Sequence, residues 1–158
     1  MTKLSHLNKK DQPAIVDVTE KKVSRRKAVA RSIVTMPEPV FQALLGEAFN
    51  TKKGAVFQVA IIAGIMAAKK TGELIPLCHP LGLENCEISI ELNKQQEIEI
   101  YCTTSIEAKT GVEMEALTGA SLAALTIYDM CKALSHDIVI KEIMLMEKTG
   151  GKRDFKRS

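Results

Sequence analysis

The 158-residue chain contains no tryptophan, and only 4% of its residues are aromatic. Platforms that stack nucleic-acid bases need aromatic side chains, so single-strand or RNA readout has little to stand on. No large excess of one charge is present: 22 Lys and Arg stand against 19 Asp and Glu, a formal net charge of +3. A dedicated nucleic-acid binder carries a larger and more clustered positive charge. The four cysteines, Cys78, Cys86, Cys102 and Cys131, include no C-x-x-C pair. Zinc-finger and dithiol redox spacings are therefore missing, and no metal site is expected. No uncharged apolar run reaches the length of a membrane span. The first dozen residues are polar, unlike a signal peptide. These absences lead to the expectation of a cytoplasmic protein with reduced thiols, binding neither membrane nor nucleic acid.

What is present is a globular composition. Apolar residues make up 46% and charged residues 26%, which excludes a disordered or fibrous chain. The length suits one domain whose core needs no disulfide or metal staple. Residues 1–13 lack periodicity and read as a disordered arm; 14–149 read as a single domain, and 150–158 as a mobile basic tail. Within the domain, 14–18 (AIVDV) predicts a short strand. Residues 27–36 predict a longer one, with β-branched residues and alternation. An amphipathic helix is expected over 39–49 and a largely buried one over 56–70, stopped by Gly72. A proline-stiffened loop runs over 73–85. Alternation at period two over 86–92 and 97–104, around a polar link, predicts a β-hairpin. Residues 112–134 predict the longest helix, and 138–147 the last strand. With the short helix set aside, the order is βαββαβ. The expected fold class is α+β, a ferredoxin-like plait with an extra N-terminal strand and short helix.

The long helix is the most informative element. Leu117, Ala120, Ala124, Ile127, Cys131 and Leu134 step by three and four. So do Glu115, Thr118, Leu122, Leu125, Asp129 and Lys132. Two adjacent stripes imply burial around much of the helix, through either a thick monomer core or a subunit interface. The interface is the preferred reading, because the small residues between Ala116 and Ala124 permit close approach. Glu113 and Glu115 sit at the N-terminal turn, where the dipole alone accounts for them. Asp129 lies near the negative end of that dipole, where helix stability does not ask for a carboxylate. Lys132, three residues on, can pair with it, either as a simple salt bridge or as an acid–base couple in a semi-buried site. Glu115 and Asp129 are about 21 Å apart along the axis, so one small ligand cannot easily touch both from one helix. A site using both would be shared between subunits. Lys53-Gly54 precedes a helix N-terminus, where an anion could bind. His79 stands in an apolar, proline-rigid setting whose simplest reading is structural. Residues 150–153 (GGKR) could wrap phosphates or be a solvated tail.

Four stretches together resemble molybdenum cofactor biosynthesis protein C, the cyclic pyranopterin monophosphate synthase family. They are VDVTEKKVSRRKAVA at 16–30, the run from KKGAVFQ to ELIPLCHPL at 52–81, KTGVEMEALTGASLAALTIYDMCKA at 109–133, and KTGGK at 148–152. The resemblance implies a ferredoxin-like fold and a homohexamer built as a trimer of dimers, with active sites at a dimer interface. It implies a lyase that converts 3′,8-cyclo-7,8-dihydroguanosine triphosphate to cyclic pyranopterin monophosphate with release of diphosphate. Such a rearrangement needs proton transfers and charge neutralisation, with no cofactor required beyond a Mg²⁺ that could accompany the triphosphate. Motif by motif, the resemblance implies catalytic roles for Asp129, Lys132 and Lys53. It implies substrate contacts from Leu77, Cys78, His79, Glu113, Met114 and Glu115, and triphosphate contacts from Arg26 and Lys148. The chain departs from the family pattern at Ser24, Ala55, Ile61 and Arg153. Two other classes compete. A ligand-sensing module on the same fold would not need Asp129, Lys132, Lys53 and His79 together. An RNA-binding plait would place aromatics on the hairpin, where only Tyr101 is found.

Overall fold

The computed structural model describes residues 6–158. Its main sheet takes strands β1 (Ser24–Thr35), β4 (Asn85–Leu92), β5 (Ile98–Ala108), β6 (Val139–Thr149) and β7 (Phe155–Lys156). Their spatial order is β4-β5-β1-β6-β7, and every neighbouring pair is antiparallel. The helices are α1 (Glu38–Gly46), α2 (Val56–Lys69), the single turn α3 (Thr71–Leu74) and α4 (Glu113–Cys131). A small hairpin, β2 (Asn50–Thr51) and β3 (Gly54–Ala55), sits between α1 and α2. Helices α2 and α4 follow β1 and β5 and pack on the sheet, the ferredoxin-like arrangement expected from the βαββαβ order.

Alternation in the strands decides which face carries the helices. Ala28, Ala30, Ser32 and Val34 of β1 and Ile98, Ile100, Cys102 and Thr104 of β5 are fully buried on that side. The two hydroxyls among them donate to carbonyls at the start and middle of α4. Ser32 Oγ reaches Ala120 O at 2.9 Å, and Thr104 Oγ1 reaches Val112 O at 3.1 Å. Both buried polar groups are thereby satisfied, and both fix α4 on the sheet.

The small residues of α4 serve the monomer core rather than a subunit interface, correcting the reason given for preferring the interface. Ala116, Ala120, Ala123 and Ala124 are fully buried within the chain. Helices α2 and α4 approach closely where Gly64 faces Gly119. A Cβ on Gly119 would lie 2.6 Å from Cys102 Sγ and 3.3 Å from Gly64 O. Gly119→Ala is expected to destabilise the fold by about 1–3 kcal/mol through overpacking, measured by urea unfolding. The second expected stripe is buried only at its start, at Glu115 and Thr118. At Leu125, 52% exposed, and at Asp129 it opens to solvent.

Other differences are local. The 14–18 run joins no sheet, so the extra N-terminal strand is absent. Its alternation instead places the chain across the loop after α3, where the Val16 carbonyl meets His79. Of the expected arm, 1–5 lie outside the described residues. Residues 6–13 form a turn closed by a Leu7–Pro13 bridge, with Asn8 Oδ1 accepting from the Lys10 and Gln12 amides. The basic tail returns to the sheet edge as β7, where Phe155 pairs with Lys148.

The end of α1 is strained. Ala48 and Phe49 have φ of +49° and +56°, the left-handed region that costs non-glycine residues about 1–2 kcal/mol each. Burial offsets this. The Phe49 ring is 5% exposed, stacked on Phe57 at 4.5 Å between centroids and edge-on to Phe41 at 5.8 Å. Burying one such ring contributes about 1.5–3 kcal/mol, and each aromatic pair adds about 0.5–1.5.

Candidate active site

Two groups of polar side chains stand at opposite ends of α4. At its C-terminal end, Asp129 faces two lysines. Its Oδ1 lies 2.7 Å from Lys132 Nζ, and its Oδ2 lies 3.1 Å from Lys53 Nζ. Lys53 Nζ also donates to the Asp129 carbonyl at 3.1 Å, so it caps the helix end as well as pairing with the side chain. Lysine at this position complements the negative end of the dipole. The β2–β3 hairpin delivers Lys53 from its tip. Thr51 Oγ1 accepts from the Lys53 amide, and Gly54 adopts φ +112°, a conformation glycine tolerates best.

The sequence leaves Asp129 either in a simple salt bridge with Lys132 or in a semi-buried acid–base couple. In the single chain the Asp129, Lys53 and Lys132 side chains are 55%, 52% and 49% exposed. Hydrogen bonds from Lys132 and then Lys53 hold the Asp129 carboxyl below its ordinary value, and Asp129 in turn raises Lys132. At neutral pH the trio is one carboxylate between two ammoniums. It holds a proton acceptor, two proton donors and one surplus positive charge.

The N-terminal end of α4 borders a cavity of about 440 Å³. Leu77, Cys78 and His79 line one side, and Glu113, Met114 and Glu115 the other. His79 Nε2 lies 2.7 Å from the Val16 carbonyl, which can only accept, so Nε2 carries the proton. Glu115 is 4% exposed, and burial pushes its carboxyl up, with a further contribution from Glu113. Burial and then Glu115 also push the Cys78 thiol up. Cys78 is thus a neutral wall rather than a nucleophile.

A groove of about 780 Å³ continues from this cavity. Eight of its lining side chains are Lys or Arg, against one carboxylate, Glu113. Lys148 Nζ pairs with Glu113 at 2.9 Å and stands where the two spaces meet. The Arg26 guanidinium donates to the Ala108 and Lys109 carbonyls, both at 3.3 Å, and Nη1 faces Gly151. The glycines keep the floor low. A Cβ on Gly111 would overlap the Glu113 carboxylate, and one on Gly150 would overlap the Arg25 carbonyl. Gly150, at φ +83°, is also held by Ser24 Oγ at 2.8 Å.

The structure therefore gathers all eleven singled-out residues into two groups: Asp129, Lys132 and Lys53 at one end, and the other eight at the other. Within one chain it does not bring the groups together. The sequence reading missed Lys21 and Lys109, which line the groove. Lys21 faces both spaces, and Lys109 Nζ donates to the Thr19 carbonyl at 2.7 Å. The clustering of Lys21, Lys22, Arg25, Arg26 and Lys27 was the available signal. It was hidden because the fold, rather than the sequence, brings that run beside the 109–111 and 148–153 segments. Tyr101 donates to Glu99 at 2.8 Å, so the lone hairpin aromatic is tied to its own sheet. Among the described residues, no helix is long and apolar enough to cross a membrane.

The profile of the MoaC family matches residues 15–151. A cyclic pyranopterin monophosphate synthase of Xanthomonas axonopodis pv. citri is 49% identical over 153 residues, covering 97% of this chain and 93% of its own. One of Lysinibacillus sphaericus is 48% identical over 155 residues, 96% of each chain. A molybdenum cofactor biosynthesis bifunctional protein of Synechocystis is 49% identical over 158 residues, spanning 98% of this chain but only 46% of its own length.

Proposed function

The chain belongs to the MoaC family, and from that premise we propose that it is a cyclic pyranopterin monophosphate synthase, a lyase of molybdenum cofactor biosynthesis. Its substrate is 3′,8-cyclo-7,8-dihydroguanosine triphosphate, and its products are cyclic pyranopterin monophosphate and diphosphate. The observation that carries this reading is the groove with eight cationic side chains opening into a cavity that holds His79 and a buried Glu115. A triphosphate needs the first, and a purine-derived ring system being protonated and deprotonated needs the second.

The division of labour follows from the charges. Arg26, Lys148 and their neighbours neutralise the triphosphate. Leu77, Cys78 and Met114 give the ring an apolar seat. His79 carries its proton on Nε2, fixed by Val16, and Glu115, raised by burial, keeps its proton to higher pH than an ordinary carboxyl. Asp129 accepts a proton, while Lys53 and Lys132 supply ammonium groups to charge developing at the phosphate and sugar. The reaction rearranges bonds without net redox change, so no resident cofactor is assigned. A Mg²⁺ entering with the triphosphate belongs to the substrate.

The two groups meet if a second copy brings its α4 C-terminus to this chain's groove. The protein is accordingly assigned as a homo-oligomer with composite sites, a hexamer made of three dimers. Unpaired apolar side chains on the helix layer support an assembly: Val59, Ile62 and Met66 of α2 and Leu125 of α4 are each at least 37% exposed. Four free cysteines fit the reducing cytoplasm. The test is turnover of freshly prepared cyclised triphosphate, following diphosphate and pterin product together. Appearance of both in equal amounts is expected. Tight binding with no diphosphate would overturn the enzymatic assignment.

A further inference from the structure

Lys53 reaches Asp129 from the tip of a hairpin only six residues long. Such a hairpin has no core of its own, so its direction is set where it leaves the protein body. That point is Phe49. The Phe49 amide donates to Leu44 O at 2.7 Å, at the end of α1, and the Phe49 carbonyl accepts from the Val56 amide at 2.9 Å, at the start of α2. The second bond closes the hairpin's base, and the first ties that base to α1. The ring below them is clamped between Phe41 and Phe57. Ala48 and Phe49 themselves, immediately before the hairpin, are two consecutive left-handed residues, neither of them glycine. A strained turn of this kind persists only where its surroundings over-determine it. Here the surroundings are the aromatic clamp, and the group carried on the far side is the Lys53 ammonium.

We propose that Phe49 is a positioning residue for the reaction: its buried ring holds the strained 48–49 turn, and the turn aims Lys53 at Asp129. The proposal rests on the functional reading above for its catalytic consequence, but not for its geometry. The groups that face Asp129 are Lys132 from the helix end and Lys53 from the hairpin, with Tyr128 beside Lys132 and Cys131 near Lys53. If the clamp loosens, the turn relaxes toward ordinary backbone, Lys53 swings away, and only Lys132 continues to hold the carboxylate down. The Asp129 titration midpoint then rises.

The test follows the Asp129 carboxyl by ¹³C NMR titration in the full chain, alongside steady-state kinetics. Variants are Phe49→Leu, Phe57→Leu, Lys53→Ala and the Phe49→Leu/Lys53→Ala pair. Phe57 is only half-buried and removes one side of the clamp, so it serves if Phe49→Leu does not fold. In folded Phe49→Leu or Phe57→Leu, the Asp129 midpoint is expected to move up, as it does in Lys53→Ala. The double variant should move no further than Lys53→Ala alone. The value of kcat should fall about 10- to 100-fold with KM changed less than about threefold, the signature of a misplaced catalytic group. A moved midpoint with unchanged kcat would keep the positioning role and remove the catalytic role of the Lys53–Asp129 pair. An unmoved midpoint in a cooperatively folding variant overturns the proposal, whatever happens to kcat.

Discussion

Asp129→Asn is expected to lower kcat by about 10²- to 10⁴-fold, the usual range for losing a positioned proton-transfer group, while KM changes little. The replacement keeps the shape of the side chain and removes its charge and basicity. Melting temperature should hardly change, because the carboxylate is more than half exposed in the single chain and solvent screens both of its ion pairs. That contrast separates a chemical role from a structural one. Lys53→Ala and Lys132→Ala are expected to cost comparable factors, and the triple replacement little more than Asp129→Asn alone, since groups acting as a unit are not additive. The pH dependence has a definite sign. Lys132 and Lys53 hold the Asp129 carboxyl below its ordinary value, so it stays ionised across the workable range. Burial raises the Glu115 carboxyl, so the proton it holds is lost as pH rises through that raised midpoint, on the alkaline side, and Glu115→Gln, which keeps the shape without an acidic proton, is expected to be inactive. Near-normal turnover in Asp129→Asn would remove Asp129 from the mechanism.

Part of this architecture is legible in the sequence and part is not, for physical reasons particular to each residue. Alternation in β1, β5 and β6 shows because each strand buries one face under the helices, and burial on one face forces a period of two. The topology followed from element order. The 14–18 run misled because alternation records only that successive side chains face different surroundings. There the apolar side is a loop and a cavity wall instead of a sheet, and one histidine bond replaces a ladder. Small residues on α4 misled for a related reason. Close approach was correctly inferred, but the partner is α2 of the same chain, through Gly64 and Gly119. Asp129 was legible because it violates the dipole preference without serving a core. The Lys53 contact was not, since it depends on a strained turn at Ala48 and Phe49, residues with no intrinsic preference for positive φ. Lys21 and Lys109 likewise look like ordinary surface lysines until β1, β5 and β6 bring their segments to one end of the sheet.

The second large effect is expected from mixing two inactive proteins. Within one chain, Glu115 and Asp129 stand fourteen residues apart on a continuous helix, about 21 Å along its axis. If the catalytic site takes the α4 C-terminus from one subunit and the groove from another, Asp129→Asn and Glu115→Gln damage opposite halves of each site. In a two-fold pair carrying one of each, one site collects both defects and the other collects none. Random pairing of equal amounts makes half the dimers mixed, so about a quarter of all sites are intact and about a quarter of wild-type activity returns. In a hexamer of three dimers two different tags select mixed assemblies rather than mixed dimers, so the purified mixture should also recover about a quarter. Glu115→Gln suits the groove half because it keeps the side chain's shape and removes a charge that burial disfavours, so the fold should not suffer. Coexpression of the two tagged variants, tandem purification and the diphosphate assay give the measurement. Recovery requires that residues from different chains complete one another. No recovery in verified mixed oligomers, with each variant folded and each parent inactive, would mean that both halves act on one substrate within a chain. In that case the Lys53 hairpin and the α4 C-terminus must reach the groove by a rearrangement, and the distance along α4 sets its size.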